Sequence, residues 1–219
     1  MVDIGVLVSG GGTNLQSIID AIESKKVDAG IKVVISNNPD AFALKRAARH
    51  GIPREVILKE DFPTREQYDT ELARILKIHD VELVVLAGFM RIITRPMLEA
   101  FPMRIINIHP ALLPSFPGLN VQKKAIEYGV KFSGCTVHFV DEGVDSGPII
   151  IQAVVPVRDN DTADTLSKRI LEEEHRIYPQ AIQLYSEGRL CINGRRVIVK
   201  GASEPAGVLE NPLAAIFAS

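Results

Sequence analysis

The run Asn107-Ile108-His109-Pro110 holds residue types suited to oxyanion stabilisation and proton transfer, at a spacing that lets them act together. Residues two apart on an extended strand project from the same face, so Asn107 and His109 would point the same way. An Asn amide can donate to a developing oxyanion, and an imidazole can shuttle a proton at neutral pH. Pro110 restricts His109 to extended geometry and so fixes where the ring begins. The same pair also suits an Asn–His contact at the edge of a core, satisfied by backbone groups. Further on, Asp145 lies in the acidic, glycine-containing segment 141–148. A carboxylate beside His109 would orient the ring and favour its charged form. Asp141 and Glu142 are equally available, and a solvated turn accommodates all three.

A second candidate is Ser9-Gly10-Gly11-Gly12-Thr13-Asn14, which joins an apolar β-branched run to an amphipathic stretch. Consecutive glycines let backbone N–H groups approach an anion, and a following helix N-terminus adds a favourable dipole. The dinucleotide-binding pattern fails, because Leu15 stands where its third glycine belongs, and no Lys follows the glycines as in a P-loop. A plain tight turn with Thr13 or Asn14 as helix N-cap is the competing reading. His50, His79, His138 and His175 have no ligand-like spacing, so no metal site is expected. Cys135 and Cys191 lie far apart and read as two reduced thiols.

Strands are predicted at 4–8, 31–35, 56–57, 83–87 and 104–109, with helices over 14–22, 41–49 and 64–78 between them. Thr64 and Gln67 have the spacing of a capping box. The alternation predicts a parallel, doubly wound α/β sheet with right-handed crossovers. The run 83–87 lacks polar alternation, which signals burial on both faces. A helix over 121–128, strands at 135–140 and 149–157, and a long helix over 162–186 follow, with Pro179 expected to bend the last. A hairpin over 191–198 would turn at Asn193-Gly194. The glycine loop, the segment 88–91 and the Asn107/His109 pair all follow strands at their carboxyl ends. That edge of an open α/β sheet is where ligands bind.

Composition agrees with this picture. The chain has 219 residues, 46% apolar and 24% charged, which is ordinary for a globular domain. We expect one domain over 1–200, with a half to about 100 that carries the candidate phosphate-binding loop and a half beyond it that carries the Asn107/His109 pair, then a tail over 201–219. A net charge of −2 provides no basic field for nucleic acid. The longest apolar stretch, 83–90, falls well short of the roughly 20 residues that span a bilayer. The N-terminus carries no basic, signal-like segment, so a soluble cytoplasmic protein is expected.

Asn107-Ile-His-Pro-Ala-Leu-Leu-Pro-Ser-Phe-Pro-Gly118, followed by Asp145-Ser-Gly-Pro148, resembles the motif of the folate-dependent formyltransferases. Ser9-Gly-Gly-Gly-Thr-Asn14, Ser36-Asn37, Ala87-Gly-Phe-Met-Arg-Ile92 and Glu174-His-Arg-Ile-Tyr-Pro179 are similar to the branch that formylates glycinamide ribonucleotide in purine synthesis. The likeness runs colinearly over about 4–190. It implies the formyltransferase fold with a Rossmann-like N-terminal half, and transfer of formyl from 10-formyltetrahydrofolate to the glycinamide amine. The catalytic trio it implies is Asn107, His109 and Asp145. The phosphoribosyl ligand would meet Gly12, Thr13 and Asn14, with Glu174 reaching it as well. Folate would contact Arg65, Met90, Arg91, Ile92, Ile93, Asn107, Val140, Asp141 and the rest of the 140–145 loop. Neither a metal nor a covalent enzyme intermediate is implied. The partners would be two small molecules, and the protein a monomer or homodimer. Two departures stand out: Ala111 where the family usually has Ser, and Asn120 and Gln122 where many members have His. A formyltetrahydrofolate hydrolase, with water replacing the amine, and a non-catalytic nucleotide-binding module are the alternatives. The glycine loop has no purpose in the hydrolase, and the module leaves the trio unexplained.

Overall fold

A computed structural model describes residues 1–203, together with 207 and 209; most of the expected tail lies outside the described residues. On the first strand, β1 (Val2–Val8), Val6 and Val8 face one core and Leu7 the other. Two-sided burial of this kind is the mark of a sheet with helices on both faces. The parallel part follows the alternating order: α1 (Thr13–Glu23), β2 (Ala29–Ser36), α2 (Phe42–Arg49), β3 (Arg54–Val56), α3 (Arg65–Ile78), β4 (Leu83–Leu86), α4 (Arg95–Ala100) and β5 (Ile105–His109). After α5 (Val121–Tyr128) come β6 (Phe132–Phe139), β7 (Ile149–Pro156), α6 (Ala163–Ser186), β8 (Leu190–Asn193) and β9 (Arg196–Val199).

Among the described residues, nine strands form one sheet in the order β3-β2-β1-β4-β5-β6-β7-β9-β8. The first five are parallel, whereas β6 and β7 run antiparallel to their predecessors. One core lies between the sheet and α1, α2, α5 and α6; the other lies under α3 and α4. The chain leaves β1 toward β2 on one side, while β4 pairs with β1 on the other. The carboxyl ends of β1 and β4 therefore flank the point where strand order reverses, the usual crevice for a ligand. The buried Tyr178 hydroxyl of α6 donates to the carbonyls of Leu86, at 2.9 Å, and Ile106, at 3.1 Å. This ties the long helix to β4 and β5 just before they deliver their functional residues. Among the described residues no helix is long and apolar enough to cross a membrane.

Several local expectations need correction. The cap of α1 is Gly12, left-handed at φ 69 with no side-chain bond, rather than Thr13 or Asn14. At α3 the Thr64 hydroxyl accepts the Gln67 N–H, but the reciprocal capping box forms at α6, between Thr162 and Thr165. The last hairpin turns one residue later than predicted. Asn193 pairs with Arg196, leaving Gly194 and Arg195 as the turn, and Gly194 takes the positive φ. The expected long helix over 162–186 is present as α6, with Pro179 buried inside it.

Candidate active site

The carboxyl edge of the sheet carries two adjoining cavities. The larger holds about 700 Å³, within the range that encloses small organic ligands. Its lining includes Arg65, the segment 88–93, Asn107, His109, Val140, Asp141 and Asp145. Both halves of the chain thus contribute to it. The smaller, about 280 Å³, is walled by residues 9–14 with Ala87, Gly88 and Met90. Gly88 and Met90 line both, and the Met90 N–H donates to Ser9 Oγ at 2.8 Å, so the two form one crevice.

At the floor of the larger cavity, β5 delivers Asn107 and His109 from one face. His109 is only 4% exposed. Its Nε2–H donates to the Phe116 carbonyl at 2.9 Å, and Nδ1 lies 3.3 Å from Asp145 Oδ2. Both ring nitrogens face oxygen acceptors, which fixes the orientation of the ring. The Gly118 N–H donates to the same Asp145 oxygen at 2.8 Å. Asp145 itself is left-handed, at φ 52, a conformation Asp tolerates better than most residues. Its neighbour Gly147 cannot be replaced without a shift, because a Cβ there would lie 1.8 Å from the Phe139 carbonyl oxygen. The loop is thus fixed from two sides. Of the three acidic residues available, Asp145 is the one beside His109; Asp141 instead accepts from Ser146 Oγ, at 2.5 Å, and the Gly143 N–H.

The sequence reading set His138 aside, yet it belongs to this cluster. Its Nδ1–H donates to the Phe139 carbonyl at 2.8 Å, so Nε2 is left to accept from Asn107 Nδ2 at 3.3 Å. Burial pushes its pKa below the ordinary histidine value and keeps it neutral. Asn107 and His138 are directly opposed in the antiparallel β5–β6 register. That pairing joins residues 31 apart, and no spacing rule in the sequence signals it.

The loop after His109 is pinned by a second buried group. Thr136 Oγ1 donates to the Ala111 carbonyl at 2.7 Å and accepts the Leu113 N–H at 3.1 Å. Gln152 donates to the Leu113 carbonyl at 2.9 Å and to Thr136 Oγ1 at 3.0 Å. Ala111 enters through its backbone, so the missing hydroxyl there leaves the loop anchored. Asn120, left-handed, caps α5, and Gln122 lines the larger cavity.

On the opposite wall, the Arg91 guanidinium lies 4.0 Å from the centre of the Tyr68 ring. The buried Asp69 carboxylate accepts the Thr94 N–H at 2.6 Å and hydroxyl at 2.7 Å, which anchors the end of the segment 88–93. Burial pushes the Asp69 pKa up. In the smaller cavity Asn14 is a wall residue, and its Nδ2 donates to Glu174 Oε2 at 2.7 Å. Glu174 stands behind it, 6% exposed, and lines neither cavity. Burial raises its pKa, and the Asn14 bond opposes that rise. The Cys135 thiol, pushed up to about 12 by burial, is no nucleophile at neutral pH.

A doubly wound sheet whose crevice holds an Asn–His–Asp cluster beside a glycine loop defines an acyl-transfer class. The model of the Formyl transferase family matches residues 2–182, and the chain belongs to that family. It is 53% identical over 189 residues to the trifunctional purine biosynthetic protein adenosine-3 of Drosophila pseudoobscura pseudoobscura; the match covers 85% of this chain but only 14% of that protein's length. It is 41% identical to the phosphoribosylglycinamide formyltransferase of Escherichia coli K12, covering 93% of this chain and 96% of that one. The crystal structure of glycinamide ribonucleotide transformylase 1 from Symbiobacterium toebii superposes with a TM-score of 0.90 at 54% identity, covering 91% and 94% of the two chains.

Proposed function

We infer that this chain transfers the formyl group of 10-formyltetrahydrofolate to the amine of glycinamide ribonucleotide, a step of purine synthesis. One observation carries this reading: the cavity holding Asn107, His109 and Asp145 adjoins the glycine-loop cavity, and Gly88 and Met90 line both. A folate in the larger space and a phosphorylated acceptor in the smaller would meet at that wall. Full-length likeness to phosphoribosylglycinamide formyltransferase supports the same reading.

In the reaction the acceptor amine attacks the formyl carbon, forming a C–N bond and a tetrahedral oxyanion. Asn107 donates from its amide to that oxygen, oriented by the bond its other N–H makes to His138. The imidazolium of His109, held by Asp145, supplies positive charge at the same place. Collapse breaks the bond from carbon to the folate nitrogen. The amine's proton passes to that leaving nitrogen through His109 or a water; when the ring acts as donor through Nε2, that N–H leaves its bond to the Phe116 carbonyl. Arg65, Arg91 and the wall from Met90 to Ile93 bind the folate, with Val140 and Asp141 opposite. Gly12, Thr13 and Asn14 hold the acceptor's phosphoribosyl end, and Glu174 acts on it through Asn14.

The test is an absorbance assay of folate deformylation with and without glycinamide ribonucleotide. Turnover that requires the acceptor, with formylated acceptor as product, supports the transferase. Turnover at equal rate without it assigns the chain to hydrolysis instead.

A further inference from the structure

Gly10 and Gly11 are glycines that the protein itself does not need. A Cβ built on either meets no heavy atom of the described residues within 4 Å, and neither has a positive φ. Gly12 is the opposite case. It is left-handed at φ 69, and a Cβ there would lie 2.6 Å from the Ala43 Cβ. Bare backbone at 10 and 11, on the wall of the smaller cavity, makes sense if a ligand approaches it closely.

Two glycines in a row are also loose, since each can rotate about φ and ψ with little steric penalty. The α2 helix removes that freedom. The Ala43 N–H donates to the Gly10 carbonyl at 3.0 Å. Arg46 Nε–H donates to the Gly11 carbonyl at 2.9 Å, while its Nη1 donates to Gln16 Oε1 of α1 at 3.1 Å. The Arg46 stem is steadied by Phe42, whose ring centre lies 5.0 Å from the guanidinium carbon. In a trans peptide the carbonyl of one residue and the N–H of the next point in opposite directions. Gripping the Gly10 and Gly11 carbonyls from α2 therefore turns the Gly11 and Gly12 N–H groups away from α2.

We infer that Arg46 is a positioning residue for the acceptor's phosphate: it locks the Gly11–Gly12 peptide plane so that the Gly12 N–H faces the smaller cavity. The inference rests on the phosphate occupying that cavity, as proposed above. Arg46 does not touch the anion; its guanidinium is spent on the far side of the loop. Its contribution belongs to acceptor binding and leaves the formyl-transfer step and the folate unaffected.

Three variants test this: Arg46→Met, which keeps the stem on Phe42 and loses the donors, Arg46→Lys, which keeps the charge and loses the fork, and Gly11→Ala. The readouts are the acceptor's KM, kcat, the folate Kd, the inhibition constant of inorganic phosphate against the acceptor, and Tm. Losing one charged hydrogen bond corresponds to about tenfold in binding, so Arg46→Met is expected to raise acceptor KM and the phosphate inhibition constant about tenfold. Changes in kcat and folate Kd should stay under about twofold. Arg46→Lys is expected to recover only part of the loss, because a single ammonium cannot span both acceptors. If the Met variant fails to fold, the Lys variant carries the test with a KM several-fold above the parent.

An acceptor KM unchanged in the Arg46 variants overturns the inference. So does full recovery by Lys, which would make charge alone sufficient, and so does a parallel rise in folate Kd. Gly11→Ala separates this failure from failure of the underlying reading. If it raises acceptor KM while Arg46→Met does not, only the role of Arg46 falls. If it leaves acceptor KM and phosphate inhibition untouched, the phosphate lies elsewhere and both fall.

Discussion

Asn107→Ala should separate catalysis from stability within one protein. Truncation removes the amide proposed to donate to the oxyanion. Loss of one such donor in other enzymes costs about 2.7–4 kcal/mol, a hundred- to a thousandfold in kcat. The structure adds a second cost. His138 Nε2 accepts from Asn107 Nδ2 at 3.3 Å, and His138 is 2% exposed, so truncation strands a buried acceptor. An unsatisfied buried group of this kind costs about 1–3 kcal/mol. For a chain of this size that is a fall in Tm of roughly 2–4 °C per kcal/mol. Removing the acceptor by His138→Ala should leave the Asn107 amide free to turn, lowering kcat less than Asn107→Ala does. The assay is folate deformylation at saturating acceptor, with folate Kd from fluorescence titration and Tm from calorimetry. A folded Asn107→Ala protein with kcat within about fivefold of the parent would refute the oxyanion role. A loss confined to folate Kd would recast Asn107 as a binding residue.

Asp145→Asn keeps the oxygen that accepts the Gly118 N–H but removes the charge facing His109 Nδ1. The rate constant kcat should fall by about tenfold, the scale of one charge-assisted hydrogen bond, with folate Kd nearly unchanged; an unchanged kcat would mean ring and carboxylate do not act together. Gly12→Val should mainly destabilise, because the new Cβ meets Ala43 at 2.6 Å in a left-handed backbone. A cost of about 1–3 kcal/mol is expected by thermal melting, and an unchanged Tm would contradict the packing seen there. Glu174→Gln keeps an oxygen for Asn14 and removes a buried acid. A raised carboxyl pKa means the unfolded chain releases a proton above the ordinary glutamate value of 4.5 while the folded one retains it, so this group erodes stability as pH rises through that value. The variant should hold or gain Tm at neutral pH, with acceptor KM raised; a steep fall in Tm would show the charge to be stabilising. His138 works in the reverse sense. Its lowered pKa costs stability as pH falls through 6.5, where only the unfolded chain takes up the proton, and chemical denaturation across that range measures it.

The layered sheet was legible in the amino-acid sequence, because buried parallel strands leave apolar runs and helices leave a 3.6-residue period that local reading recovers. The sequence also placed Asn107 and His109 on one face, since two-residue periodicity in a strand is a local property. The glycine loop and the Asp145 segment were visible as residue types at the ends of such elements. Tertiary structure decided everything that depends on register and loop path. That Asn107 opposes His138 follows from the antiparallel alignment of β5 with β6, which brings together residues from separate parts of the chain. That Asp145, rather than Asp141 or Glu142, reaches His109 follows from a left-handed turn and the Gly118 N–H. That Gly12 is held by packing while Gly10 and Gly11 are open follows from where α2 comes to rest against the loop. Side chains that act through neighbours distant in sequence, such as Arg46 and Thr136, carry no local signal. Each holds a backbone carbonyl, Gly11 for Arg46 and Ala111 for Thr136, a group every residue possesses, so residue type cannot reveal which carbonyl is held until the chain has folded.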